Sequence, residues 1–234
     1  STSFAQLSGT KTIGASGNDY SSIAAAITAL NTNGISGPVV FSLTDASYSE
    51  TGANLRIAFS SNAPTSTNTV TFKPATGVSP IITISGCDGT YKTGFMIVGT
   101  SYVTIDGSNT VGGTSKDLTF RMNDGTANGL YTFLITGNSD NITLRNFNIA
   151  YLAAPPTGSY GIRYYANDAG GIQNGLVDNV SVGTDLNSHR PQFGIAFRSD
   201  GTNILDNCTA SKSTIFASNY GIYCSSNSAT NTSL

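Results

Sequence analysis

From about residue 93 onward the chain repeats one short phrase of alternating apolar and polar positions. Phe95-Met96-Ile97 returns as Phe133-Leu134-Ile135, Ile162-Arg163-Tyr164, Ile195-Ala196-Phe197 and Ile222-Tyr223-Cys224, at intervals of 38, 29, 33 and 27 residues. A repeat of that length is one supersecondary unit stacked on copies of itself. Alternation within a short strand sends one set of side chains inward and the other outward. Phe95, Phe133, Ile162, Ile195 and Ile222 therefore form one inner ladder, and Ile97, Ile135, Tyr164, Phe197 and Cys224 the next. A second column runs Ile105, Leu144, Val177, Leu205. A third runs Asn146, Asn179, Asn207, each followed by an apolar residue. Asn tolerates the left-handed bend at a corner between strands. Its amide can bond to its neighbours one coil above and below, so these three are expected to form a structural ladder.

The segment before the repeat is different in kind. Ile23, Ile27 and Leu30 recur at helical spacing; Asp19, Ser21 or Ser22 can cap the start and Asn33-Gly34 can end it, which predicts a helix at about 21–31. Strands are expected at 38–43, around Tyr48-Ser49-Glu50, at 55–59, at 68–74 and at 80–84. The organisation is a leader over 1–18 that offers a first strand, a helix with the first coils over 19–92, and regular coils over 93–234. The class is all-β, a parallel solenoid in which each coil buries its apolar side against the next. The polar run 225–234 falls inside a fifth coil with no closing helix, so the expectation is a stack whose open edge is covered either by a continuation of the natural chain or by another chain.

Composition sharpens this. Only 10% of residues are charged, the net charge is −2 and there is no Trp. Helical surfaces are built from Lys, Glu and Arg, whereas the Gly, Ser, Thr and Asn found here suit strands and turns. No basic patch invites nucleic acid, and no apolar run is long enough to span a bilayer. Ser3-Phe4-Ala5 before Gln6 looks like the end of a signal peptide, so the expected location is secreted or cell-surface. Cys87, Cys208 and Cys224 are too few for a disulfide framework and lack zinc spacing; Cys208 and Cys224 read as small core residues, with a bridge between them as the lesser reading.

The stretch Asp19 to Ile27, followed by Val39-Val40-Phe41 and Tyr48-Ser49-Glu50, resembles the N-terminal cap and first coil of pectinesterase-like members of the pectin-lyase-like superfamily. The resemblance implies a single-stranded, right-handed parallel β-helix with a short N-terminal capping helix over its open end. Ala46-Ser47 stands where the family's Gly-x-Tyr-x-Glu turn has Gly. The leader Leu7 to Gly14 is similar to repetitive secreted or surface proteins of Bacteroidetes type.

Catalytic motifs of that superfamily are missing: there is no Gly-x-x-Asp-Phe, Gly-Arg-Pro-Trp, Asn-Thr-Asp or Gly-His-Gly. His189 has no partner at recognisable spacing, and Gly112-Gly113 and Gly170-Gly171 read as turns rather than phosphate loops; no cofactor is expected, with calcium left open as an ion that no motif supports. Asn-x-Ser/Thr sequons occur at Asn141, Asn179, Asn207 and Asn231. The outward positions of the later coils bring Arg163, Tyr165, Arg198 and Tyr223 onto one face. Aromatic and guanidinium groups on a strand surface suit sugar rings and their carboxylates, so these four are the candidate glycan-binding strip. The longest corner inserts, near 110–126, 151–159, 168–174 and 185–192, are where binding loops are expected. The functional expectation is a non-catalytic structural or adhesin-like part of a larger protein, with polysaccharide or another chain as partner. The alternative is a lyase or hydrolase of acidic polysaccharide.

Overall fold

A computed structural model describes residues 5–87, 92–124, 129–168, 170–201 and 203–226. Its strands lie in three large sheets, and every strand pairing among these residues is parallel. Sheet 1 holds Leu7–Ile13, Ile35–Leu43, Val70–Pro74, Val103–Asp106, Thr143–Arg145, Leu176–Asp178 and Thr209–Ser211, in that spatial order. Sheet 2 holds Ser47–Thr51, Ile81–Ser85, Leu118–Met122, Phe147–Tyr151, Ser181–Val182 and Thr214–Ile215. Sheet 3 holds Arg56–Ile57, Thr93–Val98, Tyr131–Thr136, Tyr160–Ala166, Phe193–Ser199 and Tyr220–Ser226. From Ile35 onward the chain passes from sheet 1 to sheet 2 to sheet 3 six times in succession. Each circuit lands one strand further along, so no coil covers its own apolar side.

The register in sheet 3 is the one the alternation predicts. Phe95 pairs with Phe133, Phe133 with Ile162, Ile162 with Ile195 and Ile195 with Ile222. The core between the sheets is aromatic for much of its length. Phe41 stacks on Phe72 with centroids 4.6 Å apart, and Phe95, Phe133, Phe120 and Phe147 continue the contact at 4.7–5.5 Å. Such pairs add to plain area burial.

The helix runs Ile23–Asn33, two residues later than the spacing predicts. The Ser22 hydroxyl accepts from Ala25 N at 3.1 Å, and Gly34 ends it with φ +66°. Its buried face is Ile23, Ala26, Ile27 and Leu30. The Tyr-x-Glu pair of the first coil ties down both the strand Leu7–Ile13 and this helix. Tyr48 donates its hydroxyl to Ile13 O at 2.7 Å, while buried Glu50 accepts from Ile23 N at 2.7 Å. The carboxyl thus takes up an N–H that the helix cannot satisfy itself.

The corners differ from expectation in an instructive way. Leu144 pairs with Ile105 and Val177, but Val177 pairs with Ala210; Leu205 lies beside Ile172 in a separate two-stranded sheet. The single Asn column is in fact two. Asn146, Asn179 and Lys212 share one corner at φ +60°, +54° and +48°. Asn141, Asn174 and Asn207 share another, at φ +56°, +56° and +50°. Asn207 Nδ2 accordingly donates to Asn174 Oδ1 at 2.6 Å, not to Asn179. The first corner forms a directed chain. Asn179 Nδ2 donates to Asn146 Oδ1 at 2.9 Å, and Asn146 Nδ2 donates to Asp106 Oδ1 at 2.8 Å. A carboxylate only accepts, so it ends such a chain. Arg145 holds the other oxygen of Asp106 at 2.8 Å.

Cys208 lies one residue past that second corner, against Gly175, and is buried; burial pushes its thiol up to about 11. Cys224 is exposed rather than in the core, and no disulfide joins the three cysteines. The ends of the chain, 1–4 and 227–234, and with them most of the stretch read as the end of a signal peptide, most of the polar tail and Asn231, lie outside the described residues.

Candidate functional site

The outer face of sheet 3 is where the chemistry gathers. Each of its later strands has Gly as its second residue: Gly161, Gly194 and Gly221. The first two point inward, where a Cβ would come within 2.4 Å of Val182 Cγ1 and within 2.1 Å of Ile215 Cγ2. Only a hydrogen fits under the side chains that sheet 2 sends into the core. Because Gly and the following Ile both face inward, the alternation slips by one residue there. The aromatic residue before each Gly is thrown outward, where strict alternation from Ile162 would bury it.

The result is a column of rings on the outer wall. Tyr131 and Tyr160 have centroids 5.3 Å apart, Tyr160 and Phe193 4.4 Å, and Phe193 and Tyr220 5.3 Å. The last two pairs are stacked, with interplanar angles of 8° and 10°. Tyr223 leans against Phe193 at 5.1 Å and Tyr220 at 5.3 Å. The sequence signal was available: the residue before the repeated Gly-Ile is Tyr160, Phe193 or Tyr220.

The four sequence-derived residues fall on the same wall. Arg163 pairs with Leu134 and Ala196, and Tyr165 with Thr136 and Arg198. Their availability differs. Arg163 is only 6% exposed. Its guanidinium lies 5.2 Å from the Tyr131 ring, 5.0 Å from Tyr160 and 4.0 Å from Tyr165, and it donates to the Tyr131 hydroxyl at 2.8 Å. Its Nε is buried without a hydrogen-bond partner. It therefore acts as a flat cation that fills the space between rings. Arg198 is partly exposed and lies 3.6 Å from Asp200, whose carboxylate also accepts from the Tyr165 hydroxyl. Tyr223 is half-buried at the end of the column. Burial raises the phenol pKa of Tyr160, against the pull of Arg163, and burial together with the Asp200 bond raises that of Tyr165. Both phenols stay neutral at physiological pH. The wall thus presents the uncharged edges of rings whose faces are largely taken up by one another, with Tyr160 itself buried and Tyr220 the most exposed of the column.

Two of the predicted corner inserts close over one end of this wall. They and the segment before Tyr220 line a cavity of about 190 Å³ that includes Pro156, Thr157, Arg190, Gln192, Ser218 and Asn219. The ring of His189, next to Arg190, bonds its neighbour Ser188 through Nδ1, at 2.9 Å. Among the described residues no group of three or more His, Cys, Asp or Glu side chains could hold a metal, and no helix is long and apolar enough to cross a membrane. No protein-family model, curated protein or solved structure matches the chain.

Proposed function

We propose that this chain is a right-handed, single-stranded β-helix of the pectin-lyase-like kind. It would serve as the non-catalytic structural or adhesin-like portion of a larger secreted or cell-surface protein, holding glycan rings weakly on the outer face of sheet 3. The handedness rests on the chirality of parallel crossovers, which are right-handed in roughly 98% of cases. The extracellular setting rests on the charge-poor surface rich in Ser, Thr, Gly and Asn. The glycan reading rests above all on the Tyr160–Phe193–Tyr220 stack. Aromatic residues give large, rigid contact area at low entropy cost, and in the stack they are already ordered by one another, with their edges and the end ring turned outward. The sequence-derived strip of Arg163, Tyr165, Arg198 and Tyr223 borders that stack, with Arg163 in a supporting rather than a contacting role.

The test is calorimetric titration or array binding of neutral oligosaccharides to the parent and to Phe193→Ala. Weak binding by the parent that falls about fivefold in the variant is expected, since one aromatic contact contributes on the order of 1 kcal/mol. Equal binding by both proteins overturns the reading. The runner-up, a lyase or hydrolase of acidic polysaccharide, draws on the Tyr165–Asp200–Arg198 grouping. Incubation with such a polysaccharide and an assay for new chain ends separates the two.

A further inference from the structure

The cavity at the end of the aromatic wall has a donor bias that stacking does not require. Arg190 reaches it from the insert before Phe193. Its Nε donates to Thr184 O at 3.0 Å and one terminal nitrogen donates to Asp185 O at 2.5 Å, with the Phe216 ring 5.4 Å from the guanidinium carbon. These contacts fix the group and leave further N–H bonds to spare, since a guanidinium carries five. No carboxylate among the described residues forms an ion pair with it. Gln192 is oriented as well. Its Oε1 accepts from Gly158 N at 2.6 Å, which leaves its NH2 group as the end free to donate. Thr157, Ser218 and Asn219 add hydroxyls and an amide around the same space. The walls are stiffened by Pro155 and Pro156, and by Ser218 N and Asn219 N bonding back to Pro191 O and Gln192 O.

A held cation beside an oriented amide donor, in a small concave space, is built for an anion. The space also has a neighbour. Gln192 and Asn219 directly precede Phe193 and Tyr220, two rings of the outer column. An anionic group in the cavity would therefore carry its own ring toward the stack. The volume, well below that of a drug-sized site, suits one ring-sized unit rather than the interior of a polymer.

We infer that this cavity is an acid-recognising subsite that takes the carboxylate of an acidic sugar at a glycan terminus, with Arg190 and Gln192 as its donors. The inference rests on the glycan reading of the adjacent wall, and the test separates the two. The probes are a glucuronate-terminated tetrasaccharide and its glucose-terminated counterpart, titrated at low ionic strength. The proteins are the parent, Arg190→Gln, Ser218→Asp and Phe193→Ala. Ser218 is exposed, so Ser218→Asp places a repelling charge at the rim without disturbing the Arg190 contacts that hold the insert. The parent is expected to prefer the acidic probe by roughly tenfold, and both Arg190→Gln and Ser218→Asp to reduce it to the level of the neutral one. Equal affinities in the parent, or a preference that survives both cavity variants, overturns the subsite and leaves the wall standing if Phe193→Ala still weakens binding. A preference that vanishes in the cavity variants, while Phe193→Ala binds both probes as tightly as the parent, keeps the subsite and removes the wall. Failure of both probes to bind overturns both.

Discussion

At Asn179 two demands meet in one side chain. The backbone is at φ +54°, a conformation that Asn adopts more readily than most residues, and the amide donates both to Asn146 Oδ1 and to Thr114 O. Asn179→Ala keeps neither advantage, and it leaves Asn146 Oδ1 without its donor. The expected cost is about 1–3 kcal/mol in chemical denaturation. A variant as stable as the parent would show that the amide chain contributes nothing. Lys212 makes the sharper contrast, because it occupies the equivalent corner one coil on, at φ +48°, without an amide. The presence of such corners was legible in the sequence, but their sorting was not. Asp178-Asn179 and Asp206-Asn207 look like the same phrase. They belong to different corners because Asn174 and Asn179 both take the left-handed bend within one coil. The 33-residue step that separates true neighbours could have distinguished them from the 28-residue step between Asn179 and Asn207.

The elements were largely readable, and the exceptions share a cause. Periodicity located the helix to within two residues and set the sheet 3 register, because a one-residue slip would move every apolar side chain to the wrong face. It missed the outer aromatic column because Gly161 and Gly194 break the alternation, a steric effect imposed by Val182 and Ile215 from another sheet. No local pattern carries that information. The cavity was half visible, as two long inserts, but Arg190 acquires its meaning only once Gln192 and Asn219 stand beside it.

The helix itself supports a prediction about pH. Burial raises the pKa of Glu50, and the N–H groups of Ile23 and Ala24 work against that shift. A carboxyl whose folded pKa is raised stabilises the fold below its unfolded pKa and loses that contribution as pH rises through the folded value. Glu50→Gln keeps an oxygen for Ile23 N and removes the titration. The stability of the variant relative to the parent should therefore rise between acid and neutral pH. A relative fall would mean that the helix N-terminus rewards the charge more than burial penalises it.

On the scale of the whole molecule, stability comes from coil against coil rather than from any central packing unit, so the mass is distributed along the stack. The aromatic core from Phe41 to Phe147 joins the first four circuits, and the later ones continue with Tyr164 over Phe197. Asn146 and Asn179 occupy the same corner, one circuit apart, with matching dihedral angles and the same place in the chain of amides. Removing residues 147–179 would join Asn146 to Val180 in a geometry each already has. Such a shortened protein is expected to fold with a single cooperative transition and to be shorter by one strand spacing, about 4.8 Å. An excision that yields only aggregate would show that the circuits are not equivalent. If they are, the matched corners act as splice points. A lineage carrying this chain could then extend or retract whatever its outer wall displays, one circuit at a time, without redesigning a single interface.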